Sequence, residues 1–319
     1  MPRKRRRRRI GVDADSEQSD LFLDASHSGA TPISSPLLVD HATAAEWDAD
    51  CDVLVVGFGA AGASAAIEAA RSGAKVIVAD RFEGGGASAK SGGVVYAGGG
   101  TSWQKRAGFD DTPDAMLEYL RHEVGDAVGD ATLRRFCGES VAMISWLEEL
   151  GVGFEATVPP KKTSYPPDGY YLYFSGNEAV PQFAGKHAPA PRGHRVKGAG
   201  LSGAVMFKAL RAGAAAAGAR VMLQAAVRRL VLDSTTGAVL GAEVWQIPDG
   251  SSAQRRHRRL SRWADRLSYV DARLSDRMRR RALALEIDAA RPRLVRARGG
   301  VVLSTGSVVT GKTLAAANS

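Results

Sequence analysis

The stretch VLVVGFGAAG, Val53 to Gly62, limits what this chain can fold into more than any other ten residues in it. Four apolar residues run straight into three glycines, Gly57, Gly59 and Gly62, which reads as a buried strand turning tightly into a helix. In such a turn Gly57 permits the reversal and Gly59 lets a pyrophosphate approach the backbone. Gly62 lets the helix sit close on the strand, while free N–H groups at the helix N-terminus face the phosphates. Ala60 to Ser72 reads as an Ala-rich helix closed by Gly73, and KVIVAD, Lys75 to Asp80, as the second strand. Asp80 falls 18 residues beyond Gly62, where a carboxylate can accept hydrogen bonds from ribose hydroxyls. Strand, helix and terminal acid in register turn the glycine pattern into an expected dinucleotide site.

The segment after Asp80 separates one dinucleotide from another. A domain built for NAD usually continues with an ordinary helix and strand. This chain runs instead through RFEGGGASAKSGGVVYAGGGT, with eight glycines between Gly84 and Gly100 punctuated by Ser88, Lys90 and Ser91. Backbone N–H groups and hydroxyls in such a segment can lie along an extended ligand and donate to its phosphates and ring. FAD is therefore the expected cofactor.

At 319 residues and 45% hydrophobic content the chain is long enough for two domains with a real core. A net charge of +9 would point to a polyanion partner if it were evenly spread, but residues 3–9 carry +7 and residues 251–300 carry +10, leaving −8 for everything else. The body is acidic and no groove-reading motif accompanies the Arg run, so no specific nucleic-acid partner is expected. Cys51 and Cys137 are too few for a disulfide framework, and neither has a His or Cys at metal-ligand spacing. A reducing cytoplasmic setting and no bound metal are expected. The polar run GVDADSEQSD after the Arg cluster lacks the apolar stretch of a secretory signal, and nowhere do the roughly 18 apolar residues of a membrane span occur.

Composition divides the chain further. Residues 1–48 mix Arg, Ser, Asp, Pro and Ala without period and read as a disordered basic leader. Thr112 as N-cap with Pro113 behind it opens one helix. A second is expected over 130–150, with Leu133, Phe136, Val141, Ile144 and Leu147 on one face. Residues 152–203, rich in Pro, Gly and Tyr, read as loops with short strands. A helix near Ala204 to Ala217 leads into a strand pair, Arg220 to Asp233 and Ala238 to Trp245, turned at Thr236-Gly237. Between 251 and 290, Leu260, Trp263, Leu267, Val270, Leu274 and Met278 recur at steps of three and four among arginines, an amphipathic helix. Self-packing on the acidic body is favoured for it over a membrane-surface contact.

GFGAAG with Asp80, followed by GGASAKSGG, resembles the fumarate reductase/succinate dehydrogenase flavoprotein group. Within that group YAGGGT, GFDDTP, YFSGNE and APAPRGH are similar to the 3-ketosteroid dehydrogenases, especially the 3-keto-5α-steroid Δ4-dehydrogenase type. The resemblance implies an α/β fold: a discontinuous Rossmann-like FAD-binding domain with part of an α+β capping or substrate domain. On that basis 49–110 is the first part of the FAD domain, 111–203 the start of the cap, and 204–250 the second part of the FAD domain. Residues 251–293 are a basic helical insertion, and 294–319 an FAD-domain strand with a C-terminus that looks truncated. The resemblance adds Ala60, Ala61, Arg81, Gly85, Gly86, Ala87, Ser88, Ser91, Gly92 and Gly93 to the cofactor-binding set, together with Thr305 and Gly306 at the strand end and Ala226 or Val227 facing the adenine through backbone atoms.

The chemistry implied by the resemblance removes two hydrogens from adjacent carbons beside a ketone, with hydride passing to the flavin, and needs a base and an oxyanion donor. The tyrosines that fill these roles in the steroid enzymes are expected beyond the last residue, so catalytic residues are unassigned. Tyr96 and His194 are the best candidates in a set that also holds Tyr165, Tyr170, Tyr171, Tyr173, His187, Arg192 and Arg195. The expected partners are a small-molecule substrate, a steroid or alicyclic ketone, and an external electron acceptor. Fumarate-reductase-like reduction of an unsaturated acid, such as a dicarboxylate, and a truncated, non-catalytic flavin-binding remnant are the alternatives.

Overall fold

A computed structural model describes residues 34–181, 189–268 and 270–306. The chain enters through a short strand, β1 (Leu37–Val39), and then β2 (Ala49–Val56), whose C-terminal end delivers the glycine turn. Helix α1 (Ala60–Arg71) returns the chain to β3 (Val76–Asp80). The glycine-dense segment contains α2 (Gly86–Lys90) and β4 (Val94–Tyr96). Next come α3 (Ser102–Arg106), α4 (Pro113–Val124), α5 (Asp130–Gly138) and α6 (Ser140–Glu149). Two short strands, β5 (Leu172–Tyr173) and β6 (Gly193–Arg195), precede α7 (Gly203–Ala216). The rest is β7 (Arg220–Leu223), β8 (Ala225–Asp233), β9 (Val239–Gln246), α8 (Ser252–Leu267), α9 (Ala272–Ala289) and β10 (Arg291–Leu303).

Seven strands form the main sheet in the order β1-β8-β9-β10-β2-β3-β7. β10, β2, β3 and β7 run parallel to their neighbours along that row, while β8, β9 and β10 form an antiparallel meander. Alternation along β2 and β3 sorts the side chains onto two faces. Val55, Val76 and Val78 pack with Ala63, Ala66 and Ile67 of α1 and with Phe207 and Leu210 of α7. Leu54, Val56, Ile77 and Ala79 join Ala242, Val244 and Val295 of the meander. This layering places the C-terminal ends of β10, β2, β3 and β7 side by side, and every expected FAD segment except part of the glycine-dense loop begins there. The second sheet, β4-β6-β5, ties the glycine-dense segment to the loops beyond it.

Several sequence expectations shift. The leader expected to run to residue 48 ends earlier, because Leu37–Val39 adds a parallel edge strand to β8; residues 1–33 lie outside the described residues. Thr112 caps α4 through its side chain and Pro113 follows, as the sequence predicts. The helix expected over 130–150 is two helices, α5 and α6, meeting at Glu139. That break turns Phe136 to the surface, 37% exposed, while Leu133, Ile144 and Leu147 stay buried. The single strand expected from Arg220 to Asp233 divides at Gln224, whose φ of 51° bends the chain so that β7 pairs with β3 and β8 with β9.

The basic insertion is a hairpin of two helices rather than one helix, broken by Asp271, whose side chain caps α9 by accepting from the Leu274 N–H. The face seated on the body is not the apolar stripe. His257, Ala264, Ser275, Ala282, Leu283 and Glu286 are the buried ones. Leu260, Trp263, Leu267, Leu274 and Met278 line an outward groove between the helices, with Trp263 50% exposed. The stripe therefore lies between the helices, where Ser275 Oγ also donates to the Ala264 carbonyl, while polar side chains such as His257 and Glu286 make the contacts with the rest of the protein. Among the described residues no helix is long and apolar enough to cross a membrane.

Candidate functional site

The glycine turn has two residues whose bareness the protein itself requires and one whose bareness it does not. Gly57 has φ 98°, and a Cβ there would come within 2.5 Å of the Ser304 carbonyl oxygen at the end of β10. A Cβ on Gly62 would run into the Gly57 carbonyl, so this glycine allows α1 to start directly on the turn. At Gly59 a Cβ would meet nothing closer than Ser88 Oγ at 3.5 Å. Gly59 itself supplies no side-chain cap to α1 and no acidic residue lies in its first turn; of the helix-start N–H groups, that of Ala60 is taken by Ser88 Oγ. The turn is a concave, backbone-lined cradle that a side chain at residue 59 would fill.

Asp80 holds this cradle from beneath. Its Oδ2 accepts from the Phe58 N–H at 2.8 Å, and its Oδ1 from Phe82 N at 2.8 Å and Gly84 N at 3.2 Å. The carboxylate joins the turn to the residues just past β3, and one lone pair of Oδ2 stays available to a further donor. Ser88 Oγ accepts from Ala60 N at 3.1 Å, bringing the serine of the second motif to the mouth of the first. Ser91 Oγ donates to Ser88 O and accepts from Gly93 N, folding that loop back on itself. Gly85 is buried, whereas Ala61, Gly86, Ala87 and Ser91 are exposed along the trough. Gly92 is backed by the Tyr165 ring, whose hydroxyl donates to Gly92 O at 2.9 Å. Thr305 and Gly306 are exposed beside the turn because Ser304 Oγ donates to the carbonyls of Val56 and Gly57. Ala226 and Val227 open β8, opposite Trp245 and Val244. Ser304, next to Thr305, and Ser202, whose hydroxyl donates to Gly92 O at 3.1 Å, are ties that motif reasoning missed.

The catalytic candidates have quite different surroundings. His194 is 1% exposed; its Nδ1–H donates to Arg192 O at 3.2 Å and its Nε2 accepts from Thr101 Oγ1 at 2.9 Å. Burial pulls its pKa from 6.5 down to about 4. The Tyr96 hydroxyl donates to Glu178 Oε1 at 2.9 Å. Burial, then the Glu178 charge, pushes the phenol far above its ordinary value, and burial likewise raises Glu178. Arg192, 1% exposed, meets Asp111 through Nε at 3.0 Å and Nη2 at 2.7 Å. Desolvation raises the Asp111 carboxyl, but the Arg192 hydrogen bonds outweigh it and hold the group low. Gln104 joins Asp111 at 3.0 Å and accepts from Gly100 N and Thr101 N, so YAGGGT is pinned from below. Arg195, fully buried, donates to the carbonyls of Pro166 and Pro167 and stacks between Tyr165 and Tyr171. Tyr173 is buried in β5, and Tyr170 O accepts from Arg195 Nη1. His187 lies outside the described residues. Among the described residues no cluster of His, Cys, Asp and Glu could hold a metal ion.

Residues 52–315 match the family described as FAD binding domain. The chain belongs to that FAD-binding family. FAD is the cofactor, and its fit rests on the open cradle at Gly59 and on the start of α1, where Gly59 offers no cap and the Ser88 hydroxyl lies against the Ala60 N–H. Among curated relatives, the 3-oxo-5-alpha-steroid 4-dehydrogenase of Comamonas testosteroni is 46% identical over 272 residues, which is 84% of this chain and 50% of that protein. The solved 3-ketosteroid-Δ4-(5α)-dehydrogenase of Rhodococcus jostii RHA1, in complex with 4-androstene-3,17-dione, superposes with a TM-score of 0.72 at 32% identity, over 88% of this chain and 50% of that one. A flavocytochrome c3 fumarate reductase shares the fold, with a TM-score of 0.53 at 20% identity over 94% of this chain and 38% of that one. The chain thus spans about half the length of the curated relative and of the dehydrogenase structure described above. The FAD-binding fold and the resemblance to ketosteroid dehydrogenases stand as the sequence predicts.

Proposed function

We propose that this chain is the FAD-holding part of a dehydrogenase that removes two hydrogens from adjacent carbons beside a ring ketone, on a 3-ketosteroid or other alicyclic ketone, and passes the electrons to an external acceptor. The observation that carries the reading is the 46% identity to a 3-oxo-5-alpha-steroid 4-dehydrogenase across 84% of the chain. FAD, when bound, supplies the hydride acceptor. The chain's own residues bind and orient: the Gly59 backbone and the α1 N-terminus take the pyrophosphate, Ser88 donates or accepts at its edge, and Asp80 braces the turn. Ala60, Ala61, Arg81, Gly85, Gly86, Ala87, Ser91, Gly92, Gly93, Thr305 and Gly306 complete the trough, and Ala226 and Val227 meet the adenine end.

Tyr96 and His194 serve this reading as positioning residues. Both nitrogens of His194 and the hydroxyl of Tyr96 are committed to protein partners, which leaves neither poised to take a substrate proton. The unsaturated-acid alternative rests on likeness of fold to a fumarate reductase at 20% identity and on 34% identity to an acrylate reductase flavoprotein subunit over only 31% of the chain. The test is anaerobic titration of the FAD-loaded 319-residue chain. The expected result is perturbation of the flavin band by a saturated 3-ketosteroid, without bleaching because this chain holds no group poised as the base, and no reoxidation of pre-reduced flavin by fumarate. Fumarate-driven reoxidation together with silence towards the steroid would reverse the assignment.

A further inference from the structure

The polar seam under the α8–α9 hairpin borders the path that a dinucleotide's adenosine half would take. With phosphates at the α1 N-terminus, the ribose and base extend over the C-terminal end of β3 and outward along the sheet. The next strand outward is β7, whose end is the bend at Gln224. The hairpin fastens to these two places. Glu286 of α9, 3% exposed, accepts from Arg81 Nε through both oxygens, at 3.0 and 3.1 Å. Arg81 sits directly after Asp80. Glu286 also accepts from His257 Nε2 at 2.9 Å, and Gln224 Nε2 donates to His257 Nδ1 at 2.9 Å and to Gln254 O at 3.0 Å. Gln224 Oε1 has no partner among the described residues, so the hairpin alone holds this side chain. The His257 ring stacks on Phe82, centroids 5.8 Å apart. Nearer the solvent, Glu83 takes Arg258 and Arg262, each at 2.9 Å, and Lys90 pairs with Asp265 at 2.7 Å.

Burying a carboxylate, an imidazole and an amide in one seam is costly unless each is paired, and a helix pair that only had to cover the sheet would use apolar side chains. The hairpin turns its apolar stripe outward and spends its polar groups on residues 81–83, 224 and 228 instead, with Arg228 Nη2 3.9 Å from Glu286. We infer that the hairpin is a clamp on the adenosine half of FAD, in which Glu286 positions Arg81 and His257 positions Gln224. Desolvation raises the Glu286 carboxyl, but the His257 and Arg81 bonds outweigh it and keep it ionised. The inference rests on FAD binding and is independent of which substrate the enzyme takes.

The experiment is a double-mutant cycle on FAD affinity, Arg81→Ala and Glu286→Gln singly and together, read by flavin fluorescence on folded protein, with ADP as a competing fragment. Gln keeps the shape and an acceptor for His257 while removing the charge that holds Arg81. Each single change should weaken FAD and ADP by a similar factor, about tenfold or more, with the double change little worse than either. Unchanged FAD and ADP affinity in E286Q, or strictly additive losses, would overturn the clamp. Where the buried variant fails to fold, Glu83→Gln opens the outer clip and should speed FAD release about threefold; an unaltered release rate overturns the clamp equally. Failure of the unaltered chain to bind FAD would instead count against the family assignment.

Discussion

The glycine turn and the polar interior beneath β4–β6 are built from similarly chemical residues and do opposite things with them. Beneath β4–β6, Arg192, Asp111, Gln104, Thr101 and His194 exhaust one another, and the network ends at the backbone of Gly99 and Gly100. At the turn, Asp80 and Ser88 take care of Phe58 N and Ala60 N, and Gly59 with the start of α1 is left facing outward. A ligand site is legible as the place where the protein stops satisfying itself, and a buried charge is by itself no sign of one. By that criterion Tyr96 and His194, each paired within the protein, are not ligand-facing groups.

The largest effect expected from this contrast is on the closed side. Asp111→Ala leaves the Arg192 guanidinium, 1% exposed, buried without its counter-charge, which should cost about 3–5 kcal/mol in urea unfolding. Asp111→Asn, which keeps an acceptor, should cost clearly less. Equal, small losses from both would mean that water reaches Arg192 and that the region is open after all.

On the open side the effect moves from stability to binding. Gly59→Val places a branched side chain in the cradle, where nothing of the protein stands within 3.5 Å. FAD affinity should fall about 100-fold or more, roughly 2.7 kcal/mol, while the unliganded protein melts within a few degrees of the parent. Gly62→Ala makes the useful control, because its Cβ would strike the Gly57 carbonyl and it should destabilise the fold directly. Retention of FAD by the Gly59 variant would remove the phosphate from this turn.

The third expectation uses pH. With His194 near 4 when folded and 6.5 as its ordinary value, the unfolded chain binds the proton first. The histidine's contribution is therefore complete above the unfolded pKa and lost as pH falls. Between pH 7 and pH 5 the loss should be about 2 kcal/mol. Glu178, raised by burial, acts in the opposite sense, stabilising at low pH and losing that as pH rises. The quantity to measure is accordingly the difference between parent and His194→Gln, whose stability should fall less steeply over the same interval. Parallel curves would place a proton on His194 in the folded state.

The features legible in the sequence obey local rules, and those that were not depend on where side chains end. The strand-helix-strand unit, the Thr112 cap and the cofactor are fixed by residues close in sequence. Asp80 was correctly placed at the end of β3, yet its carboxylate spends most of its capacity on backbone N–H groups 22 residues back and a few residues on, a choice that spacing does not reveal. The helix break at Glu139 and the strand break at Gln224 answer to tertiary pairing, Ser140 with Gly98 and Gln224 with Phe82. The hairpin misled for a physical reason: period gives the apolar face of a helix and does not say whether the protein or a sister helix covers it. Asp271 did carry the usual N-cap signal and would have divided the segment.

The smallest effect tests that last point, again by setting a closed face against an open one. Trp263 and Ala264 are neighbours on α8, 50% and 2% exposed. If apolar bulk decided the seating, removing the indole would be the worse change. The geometry says otherwise: Ala264 is buried where α8 meets α9, its carbonyl accepting from Ser275 Oγ of α9 at 2.8 Å, whereas Trp263 stands half in solvent. Ala264→Leu should cost about 1–3 kcal/mol by forcing the helices apart. Trp263→Ser removes half-solvated surface and a stacking platform for Arg266, 5.7 Å from the ring centroid, and should cost under about 1 kcal/mol. A Trp263 variant that unfolds more readily than the Ala264 one would mean that the outer apolar stripe, and not the close contact around Ala264, holds the two helices together.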